Sequence, residues 1–291
     1  MADGACPLLP PERPGHPAPP AVAAMRAGMA RAVAAGQWRT DPPPVEEEIA
    51  GVRVLRFRPD RPARGRVIHF HGGGYRLGCP EIAGPYAAAL AAASGVEVLC
   101  PSYRLAPEHP FPAGIRDGMT VFQELASKDG LPLILSGDSA GGGLAAALAV
   151  IWVGKPVSFC GLILLSPWLD LHVSAASYDG NAASDPLFSR AAATLAARLY
   201  LQDGTAPDHP LASPLFAPLD GWPPVLLSVG EGEVLLDDAR AMHARLRAAG
   251  VDTRFAPVAG MDHVAVVRGL DLPGAAETFA GVTAFIDRIL S

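Results

Sequence analysis

The sequence predicts an α/β protein built on a mostly parallel, doubly wound sheet with a small helical cap. Two observations lead there. Short apolar runs recur along the chain with helical stretches between them, which is the rhythm of strands buried on both faces by crossover helices. One long segment, Asp170 to Ser213, breaks that rhythm, and an insertion over the sheet's C-terminal edge accounts for it simply.

The elements follow in order. The opening to about Pro20 is broken by prolines, which lack the N–H that a helix or central strand requires, so it reads as a loosely packed arm. Ala21 to Trp38 reads as a helix, and Asp41 to Pro44 as a turn. Ile49 to Pro59 alternates with period two, as a half-exposed antiparallel edge strand does. RVIHF, VEVLC, LPLILS, CGLILL and PVLLSV then read as buried parallel strands, and DTRFAPV as a late strand. Helices are expected over Tyr86 to Ala93, Ile115 to Lys128, Ala140 to Val153 and Leu235 to Ala249, with an amphipathic helix over Ser189 to Leu201 inside the insertion. No internal repeat is visible.

Composition bounds the chemistry. At 291 residues with 50% apolar and 18% charged, the chain can bury one sizeable core. A net charge of −6, with no stretch that gathers Lys or Arg into a basic face, argues against nucleic acid and anionic membranes as partners. Cys6, Cys79, Cys100 and Cys160 lie far apart without a C-x-x-C pair, so they read as reduced thiols of a cytoplasmic protein. The prolines of the opening fit no secretory signal, and no apolar run spans a bilayer.

Gly137-Asp138-Ser139-Ala140-Gly141 fits G-x-S-x-G between a strand and a helix. That turn lifts a serine hydroxyl above the sheet beside the helix's N-terminal N–H groups, where a developing oxyanion can use them. Its glycines are expected because side chains there would strike the neighbouring strand and helix. Upstream, RVIHF runs into His71-Gly72-Gly73-Gly74, an H-G-G-G loop whose bare backbone can approach a substrate carbonyl. Nucleophile, acid and histidine follow in that chain order in this architecture, which leaves His172, His209, His243 and His263 as bases. Only His263 sits in a loop after a late strand, whereas His172 and His209 fall in the insertion and His243 lies mid-helix. The acid belongs in the loop after PVLLSVG, where Glu231, Glu233, Asp237 and Asp238 all stand.

These motifs resemble the hormone-sensitive-lipase-like family of α/β-hydrolases, in its bacterial esterase branch. The likeness runs from His69 to the C-terminus and rests on HGGGY, SYRLAPEHPFPAGIRD, GDSAGG, the SPL of Ser213 to Leu215 and GMDH. It implies that the acid, which opens a D-P-L-x-D pattern in the family, falls on Glu233, with Asp237 second. It also implies oxyanion donors at Gly73, Gly74 and Ala140, support of the glycine loop by His71 and Tyr103, bracing of the following turn by Arg104 and Glu108, and a supporting role for Asp138. The cap would comprise residues 1–45 and an insertion at about 170–213, the rest of 46–291 forming the catalytic domain. The expected activity is hydrolysis of short-chain acyl esters through a serine acyl-enzyme, with no cofactor and no metal. Lactonase, amidase or deacetylase chemistry shares the same machinery, and a non-catalytic ligand-binding protein on this fold is the distant alternative. The partner is a small-molecule ester, and a homodimer is left open.

Overall fold

The computed structural model describes residues 7–155, 159–202 and 204–291, so Cys6 lies outside the described residues. One eight-stranded sheet organises the chain. Its strands are β1 (Val45–Ile49), β2 (Val52–Phe57), β3 (Arg66–Phe70), β4 (Glu97–Pro101), β5 (Leu133–Asp138), β6 (Gly161–Leu165), β7 (Val225–Gly230) and β8 (Thr253–Val258), in the spatial order β1-β2-β4-β3-β5-β6-β7-β8. From β4 onward every neighbouring pair is parallel, while β1 and β2 run antiparallel.

The helices are α1 (Pro20–Ala34), α2 (Gly84–Ser94), α3 (Ala113–Ala126), α4 (Ala140–Trp152), α5 (Ser177–Gly180), α6 (Arg190–Leu201), α7 (Leu236–Ala248), α8 (Ala265–Arg268) and α9 (Ala275–Ile289). Buried side chains of α3, α4 and α7 join the apolar cluster on one face of the sheet, and those of α2, α8 and α9 join the cluster on the other. Both faces are therefore covered, and the central strands β3, β5 and β6 are buried at every position, as their uninterrupted apolar runs require.

Three expectations need correction. The alternating stretch from Ile49 to Pro59 is not one edge strand. Ala50 and Gly51, at φ 48° and 87°, turn the chain into a hairpin, and the edge is β1, whose VEEEI reads as a charged loop by composition. The apparent exposure of β2 came from its arginines, but Arg56 is buried by Glu47 of β1 and Glu97 of β4, and Arg53 pairs with Glu46 and Glu81. The first helix stops at Ala34 rather than Trp38. Gly36 adopts φ 80°, its N–H reaches Val33 O, and the N–H of Gln37 reaches Ala32 O, a Schellman stop that satisfies the last carbonyls. The described part of the arm, from residue 7, is laid down rather than loose. Glu12 forks onto Arg104 through two 2.9 Å bonds, His16 N–H donates to Pro107 O, and Pro10 O accepts from Arg116.

The last helix, α9, carries no element in the sequence reading. Its buried Thr278, Val282, Phe285 and Ile286 make one apolar stripe, interrupted to the eye by Gly281 and Thr283 on the outer side. The insertion contains α5 and α6, and Ser189 caps α6 by accepting the N–H of Ala192. It is pinned to the body by aromatic packing, with Tyr200 stacked on Tyr75 at 3.9 Å and Phe111 edge-on to Tyr200.

Candidate active site

The elbow is where the sequence places it. Ser139 sits between β5 and α4 with φ 52° and ψ −120°, a conformation unfavourable for any residue with a Cβ and held only by tight surroundings. Those surroundings admit no side chain at the flanking glycines. A Cβ on Gly141 would collide with the carbonyl oxygen of Phe70 on β3, and one on Gly137 with that of Gly141. Ser139 N–H donates to Leu165 O of β6, and its own carbonyl accepts from Trp168 N–H, so neighbouring backbone fixes both sides of the turn.

Above it, His263 Nε2 lies 3.0 Å from Ser139 Oγ, and its Nδ1 lies 2.7 Å from Glu233 Oε2. Glu233 is 1% exposed and hangs from the loop after β7, 30 positions before the histidine in a loop after β8. Asp237 stands apart: its carboxylate accepts the N–H of Ser177 and pairs with Arg240. Burial alone would depress His263, but the Glu233 hydrogen bond and charge, helped by the charges of Asp185 and Asp138, leave it above the ordinary histidine range.

The glycine loop faces the same hydroxyl. Gly73 has φ 122°, and a Cβ there would run into the carbonyl of Leu77, so the loop closes only with glycine. Among the described residues no hydrogen bond engages the N–H of Gly73, Gly74 or Ala140, and Gly73 and Gly74 edge a cleft of about 420 Å³ that Ser139 and His263 also line. His71 stacks on Tyr103 at 4.4 Å, and the tyrosine hydroxyl donates to His71 O at 2.7 Å. Burial keeps His71 below its ordinary pKa, so it is a neutral prop. Asp138 accepts from His69 at 3.2 Å on the sheet side of the elbow. Arg104 holds Asp117 and Glu12, while Glu108 holds Arg26 of α1. Among the described residues no group of three His, Cys, Asp or Glu is placed to hold a metal, and no helix is long and apolar enough to cross a membrane.

A family model described as an α/β-hydrolase fold matches residues 67–267, which hold both glycine motifs and all three members of the hydrogen-bonded chain. The chain belongs to the α/β-hydrolase fold family. Within it, this hydrolase falls in the bacterial hormone-sensitive-lipase branch. It is 41% identical over 211 residues to an acetyl-hydrolase of Streptomyces hygroscopicus, covering 70% of each chain. An esterase from the bacterial hormone-sensitive lipase family superposes with a TM-score of 0.80 at 36% identity, over 85% of this chain and 84% of that one. An esterase/lipase from an uncultured bacterium superposes with a TM-score of 0.85 at 33% identity, over 96% and 94%.

In this hydrolase the candidate site includes residues that no motif marked. Ser166, at the end of β6, donates its hydroxyl to Glu233 Oε1 at 2.7 Å. Phe188 of the insertion stacks on His263 at 5.6 Å with nearly parallel planes. Asp185 accepts the N–H of Phe188 with one oxygen and that of Val234 with the other, tying the insertion to the acid loop. Position alone could have flagged Ser166, because it follows the C-terminal end of a parallel strand, where sites on such sheets are built. The other two come from the insertion and carry no local signal.

Proposed function

We propose that this carboxylic ester hydrolase cleaves short-chain acyl esters with Ser139 as nucleophile, His263 as base and Glu233 as the acid that orients it. The observation that carries the proposal is the unbroken line from Ser139 Oγ through the two imidazole nitrogens to Glu233. His263 Nε2 takes the serine proton as Oγ attacks the ester carbonyl, and the new C–O bond converts the carbonyl to an oxyanion. The N–H groups of Gly73, Gly74 and Ala140 donate to that oxyanion, each such donor typically worth about 2.7–4 kcal/mol of barrier. His263 then returns the proton to the departing alcohol. A water, deprotonated by the same nitrogen, attacks the acyl-enzyme and releases the acid. Throughout, Glu233 holds Nδ1–H and stabilises the imidazolium.

Short acyl chains suit the cleft. α1 contributes Met25 and Met29, and the insertion contributes Leu187 and Phe188, so α1, within 1–45, and the described part of the insertion, within 170–213, serve together as a cap over a limited volume. The name of the Streptomyces relative, an acetyl-hydrolase, supports the short end of the range. The test is a series of p-nitrophenyl esters from acetate to palmitate, with fluorophosphonate labelling of wild type beside Ser139→Ala. Turnover that peaks at short chains, together with a label that vanishes in Ser139→Ala, is expected. An unlabelled wild type without turnover of any ester would sink the proposal.

A further inference from the structure

The cleft beside Ser139 is apolar along most of its wall, where Met25, Met29, Leu187, Phe188, Val264 and Val267 contribute side chains. One cation stands among them. Arg76 follows the glycine loop by two residues, lines the cleft and is only 8% exposed. Its Nε and Nη1 are buried without a hydrogen-bond partner, and among the described residues no carboxylate pairs with it.

Among the described residues, charges beside it do find partners. Arg26, packed against the same turn, bonds Glu108, Ala106 O and the backbone carbonyl of Arg76 itself. Asp138 is held by His69, and Glu233 by His263, Ser166 and Gly230. Burial weakens Arg76's hold on its proton with no acidic neighbour to offset it. A guanidinium nonetheless remains charged in proteins, so the fold carries a desolvated cation that an apolar residue of similar length would not impose.

Resting on the ester-hydrolase reading, we infer that Arg76 is a specificity residue that pairs with a carboxylate on the substrate, so that the preferred esters are those bearing a negative charge within reach of the glycine loop. A carboxylate matches the guanidinium fork and restores the partner that the fold leaves out. A neutral ester leaves the cation unpaired, which is the asymmetry that makes a buried polar group discriminate strongly between ligands. The charge could be carried by the acyl part, as in a dicarboxylic acid monoester, or by the alcohol part, as in an acylated hydroxy acid.

Two matched pairs separate these sources. Mono-p-nitrophenyl glutarate against p-nitrophenyl valerate places the charge on the acyl side, and 4-acetoxybenzoate against its methyl ester places it on the alcohol side. Wild type is expected to favour the charged member of at least one pair in kcat/KM. Arg76→Met should lower that charged-to-neutral ratio by roughly 10- to 100-fold, chiefly through KM, with Arg76→Lys between the two. If wild type hydrolyses the neutral esters but disfavours both charged ones, the inference is overturned while the esterase reading stands, and no variant is needed to decide it. An unchanged ratio in a folded Arg76→Met overturns it equally. Absence of any hydrolysis or Ser139 labelling removes the esterase reading and this inference with it.

Discussion

Ser166 Oγ lies 2.7 Å from Glu233 Oε1, on the side of the carboxylate away from His263. The hydroxyl comes from the residue that follows β6 and the carboxylate from the loop after β7, so two adjacent strand ends hold one acid. Gly230 N–H donates to the same oxygen, and the Val264 N–H beside the histidine donates to Ser166 Oγ. Glutamate is a methylene longer than the aspartate of the family pattern, and this cradle fixes the extra torsion. Ser166→Ala removes one donor from a buried carboxylate, a loss of about 1–3 kcal/mol. The expected result is a kcat reduced roughly 5- to 100-fold with KM little changed, measured on p-nitrophenyl butyrate.

The pH profile follows from the histidine. In the proposed mechanism only neutral His263 takes the serine proton, so kcat/KM is expected to rise with pH through a midpoint above the ordinary histidine value of 6.5. Burial pulls that midpoint down and Glu233 pushes it up. Glu233→Gln removes the upward pull, so the residual activity of the variant should have its acid limb shifted to lower pH. A limb that moves upward would contradict the assignment of cause.

Asp238 governs stability rather than chemistry. It is buried, accepts the N–H groups of Leu169 and Asp170 through one oxygen, leaves the other unpartnered, and is pushed up to about 8, first by burial and then by the charges of Asp170 and Asp237 against the pull of those two N–H groups. A folded-state pKa raised above the unfolded value means that the folded chain holds the extra proton, so the contribution is complete below about 3.8 and is lost as pH rises through about 8. Wild-type stability, and Tm with it, should therefore fall as pH rises from 6 to about 8 and then level off, this group contributing at most ~1.4 kcal/mol per pH unit. Asp238→Asn should flatten the curve, which thermal melts across that range would test.

The elbow tolerates no added methyl. Gly141→Ala would place a Cβ against Phe70 O, between β3 and α4, neither of which can move without opening the sheet. Loss of soluble, cooperatively melting protein is expected, or failing that a fold in which Ser139 no longer takes a fluorophosphonate label. A fully labelled, stable variant would show that the turn is looser than its packing.

These sites differ in how far they could be read from the chain. Gly73, Gly137 and Gly141 were legible because close backbone approach demands glycine at fixed spacing on either side of a strand end. Glu233 was legible only through the family pattern, since four acids share its loop and what singles one out is its reach to His263. Ser166, Phe188 and Arg76 enter from three separate segments, and nothing in their local sequence marks a partner that the fold supplies. Within the sheet, β1 was hidden by its three glutamates, whose partners Arg53 and Arg56 lie across the hairpin.

The central claim is that Glu233, rather than Asp237, orients His263 for attack by Ser139. Its most direct test is kcat/KM on p-nitrophenyl butyrate for Glu233→Gln beside Asp237→Asn. An amide at 233 should cost on the order of 10⁴-fold, as removal of an orienting acid does elsewhere, while the amide at 237 stays within about tenfold of wild type. A Glu233→Gln enzyme near full rate beside an inactive Asp237→Asn would contradict the account.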